Sequence, residues 1–200
     1  MPVKKELAEL VVRDSDEWHA WLASQHDASP GVWLAVGKKG GDVTALTRAT
    51  ALDEALCFGW IDGQARSRDD GSYWQRMTPR GPRSMWSAIN VGHIERLEKE
   101  GRMHPAGRAA VDAAKADGRW DAAYAGPAKT EVPDDLAAAV AANPDAQAMF
   151  DVLTSSNRFA LVHRLRVVKR EETRARKIDE FVAMLARGET PYPQKARPDG

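Results

Sequence analysis

Cys57 is the single thiol in a chain of 200 residues. One cysteine excludes an internal disulfide and every metal centre built on paired thiolates. It lies in the apolar run Ala55-Leu56-Cys57-Phe58 with no basic neighbour, the setting of a small buried hydrophobe rather than an activated nucleophile. His19, His26, His93, His104 and His163 are scattered singly, without the short paired spacings that announce zinc. There is no G-x-S-x-G elbow and no dinucleotide fingerprint. The loop GKKGGD at 37–42 resembles a phosphate cradle, but five residues separate Gly31 from Gly37 and Lys38 is followed by Lys39, so it reads as a plain turn. No cofactor and no catalytic residue are expected.

An excess of one charge is also missing. Lys and Arg number 29, as do Asp and Glu, so no global field draws the chain to nucleic acid or membrane, and any such role must be local. No apolar run approaches the roughly 18 residues of a spanning helix. The start, MPVKKELAELVVRDSDEW, lacks the apolar core of an export signal. A cytoplasmic protein without a transmembrane segment is the expectation.

What is present is a mixture of periodicities. Trp18, Trp21 and Leu22 after Ser15 make a helical stripe, and Val32 to Val36 a buried strand. A helix from Thr47 or Thr50 carries Leu52, Ala55 and Leu56 inward and ends at Gly59. Asp70-Gly71 signals a hairpin. With that pair as the turn, Arg68 faces Tyr73 and Arg66 faces Gln75. Alternation then puts Asp62, Gln64, Arg66, Arg68, Tyr73 and Gln75 on one polar face, and Ile61, Ala65 and Trp74 on the core; a shift of one residue exchanges the faces. Trp86, Ile89, His93 and Leu97 form the stripe of a helix capped by Ser84 or Ser87, with His93 in the core. An alanine-rich helix begins at Pro105 and ends near Gly118. Past a break at Gly126-Pro127 the chain is helical to Gly188. The tail bearing Pro191, Pro193 and Pro198 is expected to be disordered. The fold expected is α+β: a small antiparallel sheet with packed helices over 1–125, a helical bundle over 126–188 and a free tail over 189–200.

The densest mixture of rigid aromatics and guanidinium groups runs from Leu56 to Ser87. Aromatics supply apolar contact and arginine a planar fork for carboxylate or phosphate. The ligand surface is therefore placed at Asp62, Arg66, Arg68, Tyr73, Arg80, Arg83 and Trp86, with an anionic small molecule or a protein as partner. Arg80 to Ser84 directly precedes a helix, where free N–H groups favour an anion; pairing of these arginines with internal carboxylates is the equal alternative. A small-molecule enzyme with Asp62 as base is the competing use of the same surface. A second cationic signal runs through Arg158, Arg164, Arg166, Lys169, Arg170, Arg174, Arg176 and Lys177. It fits nucleic-acid phosphates, or a solvated helical face with Glu172 and Arg176 paired.

The segments ALCFGWIDG at 55–63, TPRGPRSMWSAIN at 78–90, GRMHPAGRAAVDAAKADGRW at 101–120 and KREETRARKI at 169–178 resemble the bacterial YdeI/OmpD-associated family, also called the bacteriocin-protection or OmdA family. The resemblance extends from about Trp18 to Gly188. It implies a front-half sheet of the YjbR/CyaY-like kind, a helical back half, and involvement in resistance to bacteriocins or cationic antimicrobial peptides. For some members it also implies association with an outer-membrane porin. It implies no catalytic residue.

Overall fold

The computed structural model describes residues 6–126 and 130–198, which leaves Pro127 of the expected break outside the described residues. The chain divides into two compact units, Met1–Tyr124 and Ala125–Gly200. The fold is α+β, with one four-stranded sheet in the first unit.

The first unit comprises β1 (Ala8–Leu10), α1 (Ser15–Gln25), β2 (Val32–Gly37), α2 (Arg48–Cys57), β3 (Trp60–Ser67), β4 (Ser72–Pro79), α3 (Ala88–Lys99) and α4 (Pro105–Ala116). The sheet order is β1-β2-β4-β3. It is mixed rather than wholly antiparallel, because β1 pairs parallel with β2. Parallel neighbours need a long crossover, and α1 provides it. With three residues, β1 is too short to show a period in the sequence.

Val32, Leu34 and Val36 of β2 and Met77 of β4 share one apolar core with α1 to α4. Helix α2 is its hub: it packs on β2 and β3 and on α1, α3 and α4. The hub is capped by Thr47 and left through Gly59 at a positive φ of 73°, a backbone state cheap only for glycine. Helix α4 approaches so closely that a Cβ on Gly107 would stand 2.1 Å from the Cys57 carbonyl oxygen.

In α3 the buried residues are Ile94 and Leu97, whereas Ile89 is 55% exposed. The expected stripe through Ile89 and His93 is therefore rotated. Trp86 lies before the Ser87 cap and anchors from the loop, so it does not set the helix's inner face.

The second unit holds α5 (Asp134–Ala141), α6 (Pro144–Asp151), α7 (Ser155–Arg166) and α8 (Glu171–Ala186) around Leu136, Met149, Leu161, Leu165 and Phe181. Its proline-bearing tail differs from expectation. Buried Asn157 donates to the Tyr192 carbonyl at 3.0 Å and to Gln194 Oε1 at 2.7 Å, and accepts from the Tyr192 N–H at 2.8 Å. Composition argued for disorder, but one buried amide on α7 supplies the tail with partners.

Candidate functional site

The hairpin carries the first correction to the expected surface. Tyr73 pairs with Ser67, Trp74 with Arg66 and Gln75 with Ala65, while Met77 pairs with Asp62. Between Asp62 and Ala65 the register shifts, so β3 spends one more residue than β4. Such a bulge reverses the parity of the side chains beyond it. Asp62 accordingly shares the core-side face with Met77 and Val32, and Arg66 shares the opposite face with Trp74 and Ala35. The buried Gln75 amide fixes the bulge by donating to the Gly63 carbonyl at 2.9 Å and the Gln64 carbonyl at 3.3 Å. Gln75 belongs to the interior and Trp74 to the far face, the reverse of the simple two-residue-turn register.

The seven expected ligand residues therefore separate. Arg66 stacks on Trp33, 4.4 Å from the ring centre, and is bound to Glu9 at 2.5 Å. Arg68 stacks on Trp74 and pairs with Asp69 and Ser72. Arg83 is exposed and meets no carboxylate among the described residues. Asp62 is held by Arg48 at 3.0 Å. Tyr73 is close enough for both of those charges to act on its hydroxyl, whose pKa burial raises.

Arg80 and Trp86 remain as a coherent pair. The Arg80 backbone N–H donates to the Gly59 carbonyl at 2.9 Å, which ties the strand end to the exit of α2. Ser84 closes the Gly81–Ser84 turn in both directions, and Pro82 within it and Pro79 just before Arg80 stiffen it. The guanidinium carbon then lies 3.7 Å from the centre of the Trp86 ring. Nη1 donates to the Met85 carbonyl at 3.2 Å. Nε and Nη2 of Arg80 and Nε1 of Trp86 are buried and have no acceptor among the described residues. Burial pushes the Arg80 pKa down to about 10; Tyr124 and Asp62 oppose the fall and Arg119 adds to it.

Walls come from elsewhere in the unit. Trp120 packs on Trp86 at 5.0 Å, and Arg119 donates to the Ser84 carbonyl at 3.0 Å. Tyr124 forms a parallel bridge with Ser87. That bridge and the Ser87 cap occupy the N–H groups of Ala88 and Asn90. An anion therefore cannot use those two backbone donors at the start of α3, as the sequence suggested. The buried side-chain donors are what remain. A buried donor left unmade costs about 1–3 kcal/mol, and a buried cation gains from an anionic partner.

A second polar constellation was absent from the sequence reading. From α2, Asp53 binds Arg96 at 2.6 Å and lies 3.4 Å from His93; Glu54 binds Arg102 and His19 at 2.5 and 2.7 Å. Glu100 joins the two arginines. Helix α2 begins at Arg48, so both Asp53 and Glu54 lie beyond its first turn, where the dipole no longer favours them and cationic partners from other elements do. Every acid in this chain of pairs is engaged, and it straps α1, α2 and α3 together. His93 thus sits half-buried at the rim, beside Asp53 and Arg96, rather than in the core. Among the described residues no three His, Cys, Asp or Glu side chains converge as a metal site, and no helix is long and apolar enough to cross a membrane.

Two family models match the chain. Residues 10–110 match a domain of unknown function, DUF8412, and residues 129–188 match OmdA, described as bacteriocin-protection, YdeI or OmpD-associated. Two of the quoted motifs, at 55–63 and 78–90, fall in the first match, so the resemblance to the OmdA family is narrower than nearly the whole chain. No curated protein and no solved structure matches. The chain belongs to the DUF8412 family, whose model matches half its length, and carries a region at 129–188 that matches the YdeI/OmpD-associated (OmdA) domain.

Proposed function

We propose that this protein is a non-enzymatic cytoplasmic binding protein that acts in stress protection, against bacteriocins or cationic peptides, by holding an anionic group at Arg80 and Trp86. The observation supporting it is the set of three buried donors without acceptors on one stacked pair. A phosphate or carboxylate oxygen satisfies such donors and neutralises the guanidinium together. Asp62 takes a supporting part, tempering the positive field while committed to Arg48. Arg66 and Arg68, on the other side of the bulge and paired with Glu9 and Asp69, are left out of the binding role. The enzyme alternative gains nothing from Asp62, whose carboxylate already has a cationic partner.

The test is thermal unfolding at fixed ionic strength in phosphate, sulfate, acetate and chloride. A ligand that binds only the folded state raises Tm with its concentration. The expected result is a rise in phosphate or acetate over chloride that disappears in Arg80→Met. Equal behaviour in all four salts rejects the site. Survival of cells carrying Arg80→Met under a cationic peptide tests the protective role separately.

A further inference from the structure

Helices α7 and α8 enclose a groove of about 540 Å³ lined by Val167, Val168, Phe181 and Met184, with Arg164, Lys177 and Glu180 among its walls. This lies within the range of volumes typical of binding clefts. Val167 is 57% exposed and adjoins Val168, Phe181 and Met184 in the groove, so the apolar lining is contiguous and rimmed by charge, as at interaction sites. The surrounding charge is lopsided. Asp135 takes Arg174, and Glu180 lies 3.9 Å from Arg176. Arg164, Arg166, Lys169, Arg170 and Lys177 meet no carboxylate among the described residues. The pair of Glu172 with Arg176 suggested by the sequence is replaced by Arg176 with Glu180, which leaves Glu172 unpaired with it.

We infer that this groove docks an acidic amphipathic segment of a partner protein. Its apolar side chains enter against Val167 and Phe181 while its carboxylates meet Arg164 and Lys177. Charge complementarity selects an acidic occupant. The apolar lining selects a peptide over a nucleic acid, because a phosphate backbone needs cations but no greasy floor, whereas helix-in-groove recognition needs both apolar walls and a charged rim. The inference uses no residue of the Arg80 site and stands apart from it.

The experiment titrates the full chain into a fluorescein-labelled helical peptide with Leu at i, i+3, i+4 and i+7 and Glu on its opposite face, read by anisotropy. Parallel probes are a scrambled peptide, a Lys-for-Glu peptide and labelled single-stranded and duplex DNA. Saturable binding of the acidic amphipathic peptide alone is expected, weakened roughly tenfold or more by Arg164→Glu with Lys177→Glu and comparably by Val167→Glu. Circular dichroism confirms that the variants stay folded. Absence of saturable binding overturns the inference. So do equal affinity for the scrambled or lysine peptide, binding of DNA in its place, or folded variants with unchanged affinity.

Discussion

The side-chain amide of Gln75 donates to the Gly63 carbonyl at 2.9 Å, from one strand of the hairpin to the bulge in the other. This bond sets which side chains of β3 face the helices. It places Asp62 with the core and Arg66 on the far side, and so divides the arginine-rich segment into a paired half and a half with unsatisfied donors.

Replacing Gln75 with Leu removes a buried donor and leaves the Gly63 and Gln64 carbonyls without it. Loss of about 1–3 kcal/mol is expected, measured by urea unfolding. A variant as stable as the parent contradicts the role assigned to this amide.

The tail depends on Asn157. Asn157→Ala should release residues 190–195, seen as faster amide exchange there, and lower stability by about 1–3 kcal/mol. Unchanged exchange would show that the tail is held by something other than this side chain.

His104 caps α4 by accepting the Ala106 N–H at 3.2 Å through Nδ1, which requires an unprotonated nitrogen. Burial, then the charges of His26, Arg108 and His19, lowers its pKa. A base whose folded pKa lies below its unfolded value contributes stability above the unfolded pKa and loses it as pH falls through that value towards the folded one. Stability should therefore decline as pH drops below about 6.5. His104→Asn keeps a capping oxygen and cannot titrate. The part of the decline owed to this residue should vanish, leaving that of His163, which is also lowered by burial. Identical pH profiles for parent and variant would remove His104 from the account.

Cys57 is buried, and desolvation first, then Glu54, raises its pKa to about 11. Only the thiolate reacts readily, so the native protein should resist iodoacetamide at neutral pH and the urea-unfolded protein should react. Rapid labelling of the native chain would contradict the packing of α4 on α2.

Much of the fold was legible in residue pattern. Pro105 marked a helix start, and Thr47 and Ser87 each stood as one of two candidate caps, because caps and first-turn prolines act locally. The interior of α2 and the strand β2 followed from apolar periodicity. Three features were not legible for the same reason: each is decided by a partner distant in sequence. The bulge depends on Gln75, the ordered tail on Asn157, and the rotated face of α3 on where α2 presents Asp53. The candidate site followed suit. Arg80 and Trp86 were visible as types, but the density of arginines and aromatics from Leu56 to Ser87 grouped them with Arg66 and Arg68. Arg48, Arg119 and Tyr124 enter only through tertiary packing.

Arg80 is a half-buried cation, two of its guanidinium nitrogens shielded from solvent, kept for an anionic partner. Its lowered pKa means that the charged form costs folding stability at neutral pH. In anion-depleted buffer, removing such a charge in favour of an apolar side chain of similar length should be neutral or stabilising, by up to about 4 kcal/mol. The decisive measurement is urea unfolding of the parent and Arg80→Met with and without phosphate at constant ionic strength. Arg80→Met should be at least as stable as the parent without phosphate and indifferent to it, while the parent gains stability as phosphate is added. A variant markedly less stable in both buffers, beside a parent that phosphate does not stabilise, would show that Arg80 serves packing alone.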